Sequence, residues 1–187
     1  MLVVDRLRSV LVPAGYPGLG QEVREAALDA AAVREQVDEA LRPTALNPLR
    51  REQFLALALC WHDRWDASHD VCQTREGDPD MDLIHAVLHR REGDADNARY
   101  WLARVGHHPA WSHLAPIAAA EGMTGLTNAG GRWQPEDFLA RCLAADPAEA
   151  PALVRLQAAE LLALVDHLAT HPTAGGKRVA KPTPARQ

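Results

Sequence analysis

Residues 75–96, REGDPDMDLIHAVLHRREGDAD, decide how the chain folds. The stretch opens on Arg75-Glu76-Gly77-Asp78-Pro79-Asp80 and closes, sixteen residues on, with Arg91-Glu92-Gly93-Asp94-Ala95-Asp96. Both hexapeptides have the same physical grammar. A glycine can take the left-handed backbone conformation with which helices commonly end. An aspartate just after it can accept hydrogen bonds from the free amides that begin the next helix. Each hexapeptide is therefore a helix stop followed by a helix start, and the spacing predicts one short helix from Met81 to Arg91.

The same pattern extends outward. Ala98, Trp101, Leu102 and Val105 recur at helical spacing and predict a following helix from about Asp96, stopped by Gly106-His107-His108-Pro109. Upstream, REQFLALALCWHDRW (51–65) is apolar on most sides through Phe54, Leu57, Ala58, Trp61 and Trp65, the mark of a buried helix. The pattern continues as helix through 66–76, with Ala67, Val71 and Cys72 inward. Gln21 to Leu41 carries the stripe of a further amphipathic helix, on Val23, Ala26, Ala27, Ala30, Val33, Val37 and Leu41. Residues 1–20 read as a short apolar element and a loop, punctuated by Pro13, Gly15, Pro17, Gly18 and Gly20. Downstream lie a short helical segment interrupted by Pro116 and a loop with four glycines over 122–133. Pro135 then opens a helix with Phe138, Leu139, Cys142 and Leu143 inward. A last helix runs to about Ala169, its first turn made irregular by Pro151.

The expected fold is all-α: a single helical domain over residues 1–171, with 1–20 irregular, and a flexible basic tail over 172–187. It holds about seven or eight helices arranged as antiparallel helical hairpins. Gly93, Ala98, Trp101 and Pro109 fill the places of the second helix of a tetratricopeptide repeat (TPR), and Asp63 to Cys72 repeats the pattern weakly. Two such units are too few for a repeat array, so the middle of the chain is TPR-like only.

Composition narrows the function classes. A net charge of −5 removes the basic footprint of a nucleic-acid binder. No apolar run reaches the roughly 18 residues that a membrane span needs. Asp5, Arg6 and Arg8 break the apolar N-terminal stretch, so no secretory leader is expected. Cys60, Cys72 and Cys142 are odd in number and lack CxxC spacing, as reduced, buried thiols of a cytoplasmic protein would be. No P-loop lysine, G-x-S-x-G elbow or HExxH order is present.

His-Arg-Arg-Glu at 89–92, Asn97-Ala98-Arg99-Tyr100-Trp101 and Gly106-His107-His108-Pro109 follow Trp61-His62-Asp63-Arg64-Trp65-Asp66-Ala67-Ser68-His69 and precede Trp133-Gln134-Pro135-Glu136. Over roughly residues 55–140 this order resembles an uncharacterised family of bacterial and fungal helical proteins. Gly93 stands where that family often has proline, and Glu136 where it has an aromatic residue. The resemblance implies a helical fold and a marked central segment; it implies no activity.

The site candidates gather there. On a helical wheel Met81, Leu83, Ile84, Val87 and Leu88 form an apolar arc, and His85, His89 and Glu92 fall at its border with water. Two histidines four residues apart on a helix can chelate a metal, and a nearby carboxylate can assist. His62 and His69 form a second pair upstream, with Asp63 and Asp66 beside them. Convergence of His62, His69, His85, His89 and Glu92 would make a divalent-metal site, possible in a hydrolase. Alternatively His85, His89, Arg90, Glu92, Asn97, Trp101 and Arg104, with Arg91, Arg99, Tyr100, His107 and His108 nearby, would line a groove for a small anionic ligand or a protein segment. The leading expectation is such a binding module without a cofactor; the alternative is the metal-dependent enzyme.

Overall fold

The computed structural model describes residues 2–171; the basic tail expected over 172–187 lies outside them. Among the described residues there are nine α-helices: α1 (Val3–Leu11), α2 (Ala30–Leu41), α3 (Pro48–Trp61), α4 (Trp65–Gln73), α5 (Pro79–Glu92), α6 (Ala95–Val105), α7 (Leu114–Ala120), α8 (Pro135–Leu143) and α9 (Ala150–Thr170). Two short 3-10 turns cover Val12–Ala14 and Pro109–His113. The fold is all-α, and one isolated bridge, Thr127 to Trp133, is the sole β pairing among the described residues. None of these helices is long and apolar enough to cross a membrane.

The boundaries follow from the punctuation. Asp78 accepts a hydrogen bond from the Met81 amide and Asp94 from the Asn97 amide, so each Gly-Asp pair caps the helix after it. Gly77 and Gly93 have φ of 91° and 85°, a backbone that a side chain would strain. Asn47 caps α3 in the same manner, with Pro48 in the first turn, where its missing amide is not needed.

One buried apolar cluster draws on every helix, from Leu7 on α1 to Leu168 on α9. Helix α5 lies at its centre, buried on all sides from Met81 to Arg91 and packed on α3, α4, α6 and α8. The polar residues of α5 are consequently enclosed. Arg90 meets Glu160 of α9 at 2.7 Å and stacks on Phe138 at 4.6 Å, and Trp111 donates to the other oxygen of Glu160 at 2.9 Å. Arg91 meets Asp63 at 2.6 Å and donates to the Cys60 carbonyl at 2.6 Å. Charges at this depth are stable only when paired and hydrogen-bonded, as these are.

Four sequence expectations give way. The first half of the helix expected over 21–41 is irregular, and α2 begins at Ala30. Arg24 there donates through its backbone and side chain to Asp63, at 3.0 and 2.8 Å, and to the carbonyls of Ala14 and Trp61. The Arg24 amide is thus committed to Asp63, and its guanidinium ties the segment to the turn after α1 and the end of α3. Residues 1–20 are not irregular throughout, because Leu7, Val10 and Leu11 bury one face of α1. The helix expected through 51–76 breaks at 62–64, where Asp63 has φ of 60°. Arg24 and Arg91 hold the Asp63 carboxylate from two sides and keep its pKa low against the burial that would raise it. Finally Leu143, expected inward, is exposed.

Candidate metal centre

The break at 62–64 decides which histidines meet. It restarts the chain as α4 at Trp65, with Trp65 and His69 one turn apart and their rings stacked, centroids 4.9 Å apart. Helix α5 presents His85 and His89 one turn apart, stacked at 4.9 Å. His69 stands edge-on to both, 4.5 Å from His85 and 5.4 Å from His89. Trp101 of α6 lies flat on His85 at 3.9 Å. One ring nitrogen from each of His69, His85 and His89 lies within 4.8 Å of the other two. Three ring nitrogens grouped in this way are a candidate donor set for one ion, whose bonds to imidazole nitrogen are about 2.0–2.1 Å.

Each ring is prepared differently. The Nδ1 of His89 donates to Glu92 Oε2 at 2.8 Å, so Nε2 is the ring nitrogen left for a ligand. A carboxylate on the far nitrogen is the usual partner of a metal-ligating histidine. His85 is 2% exposed, and neither of its buried ring nitrogens has a hydrogen-bond partner. Burial pushes its pKa down to about 3, and the neighbouring titratable side chains His69, His89 and Arg104 act in the same direction. Burial, and then His89, also hold His69 below the ordinary range. Both rings therefore stay neutral near pH 7, the state in which imidazole binds a metal. Asp66, Asp70 and Glu92 place negative charge around His69.

Of the five metal ligands expected from the sequence, four are brought together: His69, His85 and His89 as a trio, with Glu92 behind His89. His62 is not among them. Its Nε2 faces the Val10 carbonyl at 3.1 Å and its Nδ1 accepts from the Leu28 amide at 3.2 Å, so it pins α1 and the irregular 21–29 segment to the end of α3. His85 and His89, expected at the border with water, are buried, because α4 and α6 cover the side of α5 that the wheel leaves open.

The expected anion groove loses its cations. Arg90 and Arg91 are turned into the core and paired with Glu160 and Asp63. Arg99 pairs at the surface with Asp96. Arg104 bonds Asp82 at 3.3 Å and Tyr100 at 3.2 Å, and covers Trp101 at 5.1 Å. Asn97 donates its side-chain amide to Asp94 at 2.8 Å. His107 is exposed and His108 is buried against Asp80.

Asp80, His108 and His167 form a second cluster that sequence reasoning missed, since its members come from α5, the cap of a 3-10 turn and α9 and share no local spacing. Its hydrogen bonds argue against a metal. The Nδ1 of His108 accepts from the Ala110 amide at 3.2 Å, so the ring proton sits on Nε2, which faces Asp80 at 3.1 Å. Arg50 and Gln53 occupy the other Asp80 oxygen, at 3.4 and 3.1 Å. No lone pair of His108 is left for a cation.

Comparison with family models, characterised proteins and solved structures gave no match.

Proposed function

We propose that the chain is a helical metal-binding protein that holds a divalent transition-metal ion, zinc above all, on His69, His85 and His89. The observation that carries this is His85. A buried imidazole with two unpartnered nitrogens costs about 1–3 kcal/mol for each unsatisfied group, and a ligand removes part of that cost. Three imidazole nitrogen donors suit zinc, copper, nickel or cobalt and not magnesium or calcium, which prefer oxygen. The bond from His89 to Glu92 supports the same reading by fixing the tautomer of one ligand.

Three histidines with a further position open to water are also the donor set of a hydrolytic zinc centre. Hydrolysis is the activity that we assign to the centre if it is catalytic. The test is metal analysis of untagged protein, wild type against His85→Ala and His89→Ala. About one ion per chain in the wild type and a clear loss in both variants is the expected result; equal content in all three proteins rejects the assignment.

A second reading treats the scaffold as TPR-like hairpins, α3 with α4 and α5 with α6, that hold a protein segment in the cytoplasm. Tyr100, 53% exposed beside Trp101, is the observation that favours it. The three free, buried cysteines fit that compartment. The resemblance to bacterial and fungal helical proteins is part of this reading.

A further inference from the structure

His89 belongs to two groups of side chains at once. One face of its environment is the largely buried trio with His69 and His85; the other is a trio with Glu92 and Asp94, whose ligand atoms also lie within 4.8 Å of one another. Glu92 is exposed and Asp94 half-buried. The outer group is ordered rather than merely acidic. Asn97 donates to both oxygens of Asp94, from its backbone at 3.0 Å and its side chain at 2.8 Å. Glu92 gives Oε2 to His89 and keeps Oε1 without a hydrogen bond among the described residues. Inside, His85 waits with two unpartnered nitrogens, an independent sign that a ligand belongs at this end of α5.

We propose that Glu92 and Asp94 form an outer capture site for a divalent cation, which passes from their carboxylates to the three histidines. This rests on the three-histidine reading above. A divalent ion arrives with its water shell, and exposed carboxylates exchange with that shell more easily than buried imidazoles do. Carboxylates at the surface also raise the rate of cation encounter. Glu92 links the stages because one oxygen orients His89 while the other faces solvent-borne ions. The step requires only ligand exchange: water leaves the ion as carboxylate oxygens bind, and those oxygens leave as imidazole nitrogens bind.

The capture site is a claim about rates. Co2+ is the probe, mixed with the full chain in a stopped-flow instrument. Its paramagnetic quenching is read through Trp65 and Trp101, whose rings lie 4.9 Å from His69 and 3.9 Å from His85. Asp94→Asn retains a cap for α6, since asparagine caps as well as aspartate. Association and dissociation should both slow by about threefold or more, with the equilibrium constant nearly unchanged. Asp96→Asn removes the same charge two residues away and should leave both rates as in the wild type. Wild-type rates in Asp94→Asn, or equal slowing in Asp96→Asn, would overturn the capture site. So would faster dissociation, which belongs to a lost ligand and not to a lost relay. Absence of Co2+ binding by the wild-type chain, visible in equilibrium absorbance, would instead overturn the three-histidine centre and the relay with it.

Discussion

His85 and Trp101 lie face to face, their centroids 3.9 Å apart and their planes 21° from parallel, and neither nitrogen of His85 finds a partner in that position. The contact satisfies the ring's faces and leaves its edges unsatisfied. A side chain selected for packing alone would not need those nitrogens. His85→Phe keeps the stack and removes them. The apo protein should be at least as stable as the wild type, by about 1 kcal/mol or more in urea unfolding, since two buried polar atoms without partners are lost. Metal binding should disappear. A clear loss of stability would mean that the nitrogens have structural partners.

In the three-histidine reading, Glu92 acts through His89. Glu92→Gln exchanges a charged acceptor at 2.8 Å for a neutral one and weakens the hold on the Nδ1 proton. Outer partners of this kind typically contribute 10–100-fold in metal affinity. Competition titration with a chromophoric chelator should show a loss in about that range, with helical content unchanged.

Arg90 has a purely architectural role. Its guanidinium is buried between Glu160, Gln157 and Phe138. Arg90→Met leaves the Glu160 carboxylate, 1% exposed, without its counter-charge. The expected cost is about 3–5 kcal/mol in denaturant unfolding. Arg90→Met, Glu160→Gln together should recover part of it, because the stranded charge is then removed.

Acid should destabilise the apo protein. Burial is the main cause that lowers the pKa of His62, His69, His85 and His167 below 6.5. A lowered histidine means that the unfolded chain binds more protons, so stability rises with pH between the folded and unfolded values and falls on acidification through that window. For His85 the window runs from 6.5 down to about 3. At about 1.4 kcal/mol per pH unit, that ring alone accounts for roughly 2 kcal/mol between pH 6.5 and 5. Asp80 adds the same sign lower down: its pKa is held below 3.8 by His108, His167 and Arg50 against its burial, and its contribution is lost as pH falls through the folded value. Urea unfolding from pH 7.5 to 5 with a chelator present should show the decline, and His85→Phe should flatten it.

Much of the local architecture is written in short-range signals. The two Gly-Asp turns, the caps at Asp78 and Asp94, and the buried stripe Ala98, Trp101, Leu102 and Val105 need only neighbours in sequence. So does the pairing of His85 with His89, because two residues four apart on a helix share a face whatever surrounds them. These features determine an all-α chain and single out one end of α5.

The tertiary structure decided the rest, through contacts that local patterning does not encode. Arg24 and Arg91 converge on Asp63 from opposite directions in sequence, hold it at positive φ and end α3 there. That break sends His62 to α1 and turns His69 toward α5, so one of two similar upstream histidines joins the centre and the other becomes a structural pin. The same enclosure turns Arg90 and Arg91 from candidate anion ligands into core ion pairs. A buried charge must find its counter-charge wherever the chain brings one, and for these residues the partners came from α9 and from the turn after α3.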